Sequence, residues 1–262
     1  MTTLAHKMRS AAFYLRRPSF WSHFAHRAAG YVQPNLDNAR ALAAGTQWAR
    51  ARAQSLGTAL ADMGLLAAPD QPMPAMPGTA LQKAEERVAA APCSMGGGAD
   101  VDLVYAVARL SRAHDVVETG VAFGWSSLAL LTALESNGDG TLVSVDRPYP
   151  GDGSEAFVGI AVDPPLKKRW RIIREPDRNG LRRAVSSFAR GIDIAHYDSD
   201  KTYRGRRFGY GVIWPALKPG GIFISDDIQD NMAFAHFVAR TRARFGVVQA
   251  GDKFVGLAAK PV

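Results

Sequence analysis

A glycine-rich turn in the middle of the chain has the residue types of a ligand-binding turn. An apolar run ends in Glu118, and Gly120 and Gly124 follow in the pattern Glu-x-Gly-x-x-x-Gly. A helix is predicted directly after the turn, with Ser126 in its first turn, so free backbone N–H groups would face a ligand there. Gly120 permits a backbone conformation that a side chain would obstruct, and Gly124 permits a ligand to approach the main chain. Glu118 is expected to accept hydrogen bonds from a hydroxyl or ammonium group of the ligand.

Acids also follow three other predicted strands. Asp146 stands where an acid can bridge the two hydroxyls of a ribose. Asp198-Ser-Asp200-Lys201 and Asp226-Asp227 follow two later apolar runs. Ligands of open α/β sheets bind at the carboxyl ends of strands, so these acids and Lys201 are predicted to border one site. A simpler interpretation of Asp226-Asp227 is a solvated turn with a helix cap.

An open α/β sheet is the element that must position these residues. Apolar strands alternate with helical segments at 101–112, 180–190 and 231–242, which predicts a Rossmann-like, doubly wound sheet. We expect seven strands, mostly parallel, with an antiparallel final strand. The predicted strands are residues 116–119, 141–145, 170–173, 192–197, 222–225, 246–250 and 253–258. A turn is predicted at 214–221, before the fifth of them.

The first third of the chain differs in composition from the rest. Residues 1–68 are predicted to form a helical N-terminal extension, with one long helix or two between 36 and 66. Four prolines mark residues 69–79 as a linker, and the main domain is predicted to span 80–262.

Charge is concentrated at the N-terminus. The net charge is +8, and residues 1–60 hold eight Lys or Arg side chains against Asp37 alone. The remainder is close to neutral, which does not favour an enzyme of nucleic acids. Residues 1–32, the basic arm, also carry many aromatic side chains. They form either an amphipathic surface for an anionic membrane or, as we favour, a face packed on the main domain or on a partner subunit.

Cysteine content and hydropathy exclude several classes. Cys93 is the only cysteine, so an internal disulfide and a cysteine zinc cluster are excluded, and a reducing cytoplasm is expected. The apolar runs are shorter than the roughly 18 residues of a membrane span. No apolar segment of signal-peptide length follows the basic N-terminus.

The motifs together resemble a known family. The glycine turn with Asp146 is similar to the class I S-adenosylmethionine-dependent methyltransferases. Asp198-Ser-Asp-Lys201 resembles the Asp-Ala-Asp-Lys segment of catechol and caffeoyl-coenzyme A O-methyltransferases, and residues 217–227 resemble their fifth strand with its paired metal ligands. Those enzymes have Asp-Asn where this chain has Asp226-Asp227, and in this the chain is similar to bacterial O-methyltransferases of deoxysugars. The resemblance covers residues 93–262.

This resemblance implies an Mg²⁺-assisted O-methyltransferase that acts on a hydroxyl of a sugar or another small polar metabolite. S-adenosylmethionine would be bound by Glu118, Gly120, Gly124, Ser126, Asp146, Met95 and Gly96. The glycine-rich segment that contains Met95 and Gly96 would cover the methionine end of the cofactor, or else act as a hinge. Asp198, Asp226 and Asp227 would hold Mg²⁺, and Lys201 or Asp200 would take the proton of the acceptor.

Two alternatives stay open. One is a metal-independent methyltransferase with His196 or Asp200 as the base. The other is a non-catalytic cofactor-binding protein, docked on a membrane or a partner by its basic arm. The expected partner is a small hydroxyl acceptor and not a nucleic acid. The expected location is the cytoplasm. Peripheral contact with the inner membrane face through residues 1–32 and assembly into a homo-oligomer are both left open.

Overall fold

The computed structural model describes residues 12–21, 36–96, 98, 100–149 and 153–262. Most of the basic arm therefore lies outside the described residues, and so does Gly97 of the glycine-rich segment. None of the helices in the described part has the length and hydropathy that crossing a bilayer requires.

The described residues form one sheet of eight strands with helices on both faces. The strands are β1 (Ala53–Gln54), β2 (Asp115–Thr119), β3 (Thr141–Val145), β4 (Trp170–Ile173), β5 (Ile192–Tyr197), β6 (Leu217–Ser225), β7 (Arg244–Ala250) and β8 (Lys253–Ala259). The helices are α1 (Ala39–Arg50), α2 (Leu56–Asp62), α3 (Gly78–Ala89), α4 (Val101–Leu110), α5 (Trp125–Asn137), α6 (Asp177–Val185), α7 (Tyr203–Ala216) and α8 (Ala233–Thr241).

The strand order is β1-β7-β8-β6-β5-β2-β3-β4. β8 is antiparallel to both of its neighbours, and the other pairs are parallel. The predicted Rossmann-like sheet with an antiparallel final strand is thus confirmed.

Alternate residues of the central strands enter two different cores, because successive side chains point to opposite faces of a sheet. Val116 of β2 packs in the core beneath α2 to α5, whereas Val117 packs in the core with α6, α7 and α8. The same alternation holds for Leu142 and Val143 of β3. Both faces are covered, so the cavity for a ligand is left at the strand ends.

Two elements differ from the prediction. β1 is an eighth strand, parallel to β7, and its two residues are too few to show an alternating pattern. The turn predicted at 214–221 is wrong, because α7 continues to Ala216 and β6 begins at Leu217. Pro215 lies inside α7, one residue before its end, where it has no N–H to donate to the preceding turn, and the helix stops at the next residue. Lys218 then holds the early start of β6 by hydrogen bonds of 2.7 Å to carboxylates on β2 and β5.

Candidate active site

A cavity of about 780 Å³ opens at the carboxyl ends of β2, β3 and β5. Its wall includes residues 120–122 of the turn after β2, Asp146 after β3, and residues 198–202 after β5. This edge is where open α/β sheets bind ligands. The cavity therefore lies where the acids that follow the strands were predicted to meet.

The two glycines of the turn have different surroundings. Gly120 lines the cavity with φ +81°, and a Cβ on it would collide with the backbone carbonyl of Asp198. It thereby lets the turn after β2 contact the loop after β5. Gly124, at φ +91°, caps α5, and a Cβ there would lie 3.0 Å from the Cα atom of Gly159. We expected a ligand to approach the main chain at Gly124. In the structure, Gly159 occupies the space on the side where a Cβ would point.

Glu118 is fully buried beneath the turn and does not reach the cavity wall. Its carboxylate accepts hydrogen bonds from the hydroxyls of Ser126, Ser127 and Ser144 at 2.6, 2.6 and 2.7 Å. Burial raises the pKa of Glu118, against the opposing effects of His196 and the three hydroxyls. Glu118 therefore fixes the start of α5 through its hydrogen bonds with Ser126 and Ser127. The predicted direct contact between Glu118 and a ligand does not fit this burial.

Four other residues predicted to bind the cofactor line the cavity. They are Met95, Gly96, Ser126 and Asp146. Asp146 is 5% exposed, and the guanidinium of Arg174 donates a hydrogen bond to it. Burial raises the pKa of Asp146, while the charge of Arg174 opposes that rise. Arg174 was not singled out in the sequence, and it also binds Glu155 at 2.7 Å, so it fixes the carboxylate from the outer side.

The three acids predicted to bind a metal come together. One carboxylate oxygen from each of Asp198, Asp226 and Asp227 lies within 4.8 Å of the others. We call these three the acidic cluster. Lys201 lies beside it, with its ammonium nitrogen 3.1 Å from Asp198 and hydrogen-bonded to Asp227. Lys253 approaches Asp227 to 3.5 Å from the other side.

The close approach of several charged groups shifts the pKa values of the acidic cluster and of Lys201. Burial and the neighbouring carboxylates of Asp198 and Asp227 raise the pKa of Asp226 to about 7. Burial opposes ionisation of Asp227 too, but its hydrogen bond with Lys201 outweighs this and lowers the pKa of Asp227. Burial likewise opposes the charge of Lys201, yet Asp198 and Asp227 prevail and raise the pKa of its ammonium.

The donor set fits a divalent cation. All three candidate ligands are carboxylate oxygens, which Mg²⁺ prefers. The Oδ1 atom of Asp198 is buried and accepts no hydrogen bond from the described residues, although the Lys201 ammonium lies near it. Three acids face two lysines here, so a further positive charge would be compensated. The acidic cluster could therefore hold one such ion.

The two other candidate bases are placed less well for chemistry. His196 is 1% exposed, does not line the cavity, and has its Nδ1 atom 3.8 Å from Glu118. Asp200 lines the cavity, but its Oδ1 atom accepts hydrogen bonds of 3.2 and 2.8 Å from the backbone and hydroxyl of Thr202. Asp200 thus supports the start of α7, and of the three candidate bases only Lys201 both lines the cavity and contacts the acidic cluster.

Besides Arg174, further residues at the site were not found from the sequence. The cavity wall includes Asp37 and Asn38, just before α1, from the segment predicted as a separate extension. Arg206 is fully buried behind the acidic cluster. No pattern distinguishes Arg206 from Arg204 and Arg207 on the same helix, so only the tertiary structure could identify it.

Comparison with known proteins relates this arrangement to methyltransferases. The fold is shared with O-methyltransferases of known structure, and part of the chain matches a methyltransferase domain. Residues 117–228 match the family model described as a methyltransferase domain. None of the curated proteins matches the chain.

Solved structures share the fold at low sequence identity. An O-methyltransferase from Bacillus cereus in complex with S-adenosylhomocysteine has a TM-score of 0.55 and 16% identity, over 78% of this chain and 100% of that one. The S-adenosylhomocysteine-bound methyltransferase PaMTH1 of Podospora anserina has a TM-score of 0.54 and 16% identity, over 72% and 90%. The O-methyltransferase TomG of Streptomyces achromogenes, involved in tomaymycin synthesis, has a TM-score of 0.51 and 18% identity, over 70% and 88%.

Proposed function

We propose that the protein is an S-adenosylmethionine-dependent O-methyltransferase, assisted by Mg²⁺, that methylates a hydroxyl of a sugar or another small polar metabolite. One observation carries this proposal: Asp198 and Lys201 line the same cavity as the glycine turn and Asp146, and the buried Asp226 and Asp227 each have a carboxylate oxygen within 4.8 Å of one on Asp198. One end of that cavity suits the methyl donor, and the other suits a cation with a hydroxyl. The Bacillus cereus and Streptomyces achromogenes proteins that share the fold are both O-methyltransferases, which supports it.

The residues on the cofactor side bind and orient. Asp146 would accept hydrogen bonds from the ribose hydroxyls, with its carboxylate held by Arg174. The N-terminus of α5, which begins at Trp125, presents free backbone N–H groups to an anionic group such as the carboxylate of the methionine part. Met95, 5% exposed, would pack against the bound donor. Such positioning supplies much of the rate in a transfer between two bound reactants.

On the acceptor side, the hydroxyl oxygen attacks the methyl carbon, the carbon–sulfur bond breaks, and its electron pair stays on sulfur. The hydroxyl proton leaves to Lys201 or Asp200, of which Lys201 is better placed. Asp198, Asp226 and Asp227 would hold Mg²⁺, which when bound lowers the pKa of a coordinated hydroxyl. With the acidic cluster compensated, the attractions that now raise the pKa of Lys201 would be weakened, and burial of its ammonium would then favour the neutral amine, which is the form that can accept a proton.

The cavity wall supports a polar acceptor. Beyond Lys201, the wall on this side includes Asp37, Asn38, Asp230, Asn231 and Lys253. Among the described residues of the wall, the aromatic side chains are Trp125 and Tyr149, and both stand on the side of the glycine turn and Asp146. A flat aromatic acceptor would be expected to meet apolar or aromatic walls. Carboxylates and amides are instead suited to the hydroxyls of a sugar-like compound.

A methyl-transfer assay against a panel of methyl glycosides and catechols, with S-adenosylmethionine as donor, tests this proposal. Chelator is expected to abolish transfer, and added Mg²⁺ to restore it. Asp226→Ala should lower turnover by more than the roughly 10- to 100-fold that outer-shell changes cost in metal enzymes. Its affinity for S-adenosylhomocysteine, measured by calorimetry, should stay unchanged. Asp227→Asn, which creates the Asp-Asn pair of the enzymes that the sequence resembles, should keep a measurable rate.

The matched control is Asp70→Ala, which removes an exposed acid from the proline-rich linker. It should behave as the wild type in every assay. Full transfer in chelator, or a wild-type rate for Asp226→Ala, would refute the metal and favour a metal-independent enzyme. Transfer to catechols alone would refute the polar acceptor.

We also propose a cytoplasmic location. The single cysteine, Cys93, is free and partly buried. A chain without disulfides is compatible with a reducing compartment, which supports this location. Fractionation of cells that produce the tagged protein would test it, and recovery outside the cytoplasm would contradict it.

A further inference from the structure

Arg206 is a fully buried charge on the first turns of α7. Burial of a guanidinium is costly unless hydrogen bonds compensate it. The carboxylate of Asp230 lies 3.6 Å from its Nη2 atom, beyond hydrogen-bond distance. The positive charge of Arg206 is therefore compensated largely by uncharged groups. An ordinary ion pair does not explain why an arginine is buried here.

The partners of Arg206 are backbone carbonyls of the catalytic loops. Its Nε atom donates to the carbonyl of Lys201 at 3.2 Å, Nη1 to that of Asp226 at 2.9 Å, and Nη2 to that of Asp227 at 2.7 Å. These are the residues whose side chains form the acidic cluster or stand beside it. One guanidinium thus joins the loop after β5 to the loop after β6. A planar fork of five N–H groups can make this connection, and a single ammonium cannot reach all three carbonyls in the same way.

Asp227 adds a second observation. Its backbone lies in the left-handed region, at φ +49° and ψ +40°, which a residue with a side chain adopts at a cost of about 1–3 kcal/mol. Arg206 binds the carbonyl of this strained residue. The conformation brings the Asp227 carboxylate to Lys201 and within 4.8 Å of the other two acids. Strain that persists at such a place indicates a functional constraint.

We propose that Arg206 is a positioning residue for the cation site. By holding the carbonyls of Lys201, Asp226 and Asp227, it fixes both loops so that their side chains converge on one divalent ion. Tyr210 and Ser225 complete its shell, with hydrogen bonds of 3.1 Å each to Nη1. The inference rests on the metal in the proposed function, and it adds a residue that touches neither the ion nor the reactants.

The test uses Mn²⁺ as the probe, because Mn²⁺ takes the same oxygen ligands as Mg²⁺ and its binding is measured by electron paramagnetic resonance without an acceptor. The full chain, loaded with S-adenosylhomocysteine, is titrated as wild type and as Arg206→Lys. The variant is expected to bind Mn²⁺ about 10- to 100-fold more weakly. Its affinity for S-adenosylhomocysteine should stay that of the wild type. Arg207→Lys, an exposed arginine on the same helix, is the matched control and should change neither value.

Tyr210→Phe keeps the test decisive if Arg206→Lys does not fold. It removes one hydroxyl bonded to Arg206, and Mn²⁺ affinity should fall by about 2- to 10-fold, the worth of one hydrogen bond. Wild-type Mn²⁺ affinity in the folded Arg206→Lys protein, or in Tyr210→Phe if the lysine variant does not fold, overturns the inference. Equal weakening of Mn²⁺ and of S-adenosylhomocysteine overturns it as well, since it would show a general structural role. A wild type that binds no Mn²⁺ refutes the metal in the proposed function, and the inference with it.

Discussion

Replacing Gly45 by alanine tests whether α1 is a fixed wall of the active site. Gly45 is buried where α1 crosses the turn that follows the acidic cluster. A Cβ on Gly45 would lie 2.5 Å from the carbonyl oxygen of Gln229 and 2.9 Å from that of Asn231. Both neighbours are backbone atoms, so they cannot rotate away as a side chain would. The helix must therefore move outward to accept a single methyl group.

The expected change in the free energy of unfolding of Gly45→Ala is the balance of two opposing effects. An alanine in place of glycine inside a helix stabilises it by about 1 kcal/mol. Overpacking of a close contact costs about 1–3 kcal/mol. Gly211 in α7 is exposed, and a Cβ added there would have no atom within 4 Å. Gly211→Ala should therefore gain the helix stabilisation without the cost of overpacking. The propensity term cancels between the variants, and Gly45→Ala should be less stable than Gly211→Ala by about 1–3 kcal/mol.

Urea unfolding measures that difference, from the midpoint and the slope of each variant. The displacement should also reach the chemistry, because the Asn231 amide donates to Asp37 at 2.8 Å and to the carbonyl of Lys201 at 3.0 Å. Turnover of Gly45→Ala is therefore expected to fall while affinity for S-adenosylhomocysteine is kept. Equal stabilisation of both alanine variants would refute the close packing. An unstable Gly45→Ala protein with wild-type turnover would refute the role of α1 as a wall.

Three further outcomes are expected. Asp146→Ala should weaken S-adenosylhomocysteine binding by about 1–3 kcal/mol in calorimetry, the worth of a hydrogen bond to a charged group, and unchanged affinity would remove Asp146 from the site. Burial raises the pKa of Asp177 to about 6, so the native state favours its protonated form and loses stability as the pH rises from 4 through 6. Asp177→Asn should remove this loss, and an unchanged pH dependence of the urea midpoint would contradict it. Leu15 and Trp21, 60% and 56% exposed, flank two arginines; if the basic arm docks on a membrane, the chain should bind anionic vesicles in low salt and lose that binding when residues 1–32 are deleted, whereas binding that is undiminished by the deletion would show that the arm serves packing, as we favour.

The meeting of the strand-end acids was predictable from the sequence. Asp146, Asp198 and Asp226 each follow an apolar run, and parallel strands end at one edge of the sheet. The pairing of β5 with β6 then sets Tyr197 beside Ser225, so the acids that follow them become neighbours. Local pattern and one general rule of sheet topology were sufficient for this part of the site.

The surroundings of single side chains were not predictable in this way. Glu118 has the right place on its strand, but Ser144, 26 residues later on β3, takes its carboxylate. Gly124 has the conformation expected of a ligand-binding glycine, yet Gly159 fills the space beside it. Ser126 and Ser127 on the following helix also bind Glu118, but in both cases one of the neighbours is distant in sequence. Periodicity states which face a residue occupies and does not state what else occupies that face.

The backbone carbonyl of Lys201 links the main domain to the segment just before α1. It accepts a hydrogen bond from Arg206 on α7 and another from Asn231, whose amide also binds Asp37. The loop that carries the candidate base is thus held from the main domain and from the start of α1. A deletion that removes α1 and β1 would therefore remove part of the acceptor wall together with the basic arm, and loss of activity would not reveal what the arm does. Only a deletion that ends before residue 36 and keeps Asp37 can separate docking from catalysis.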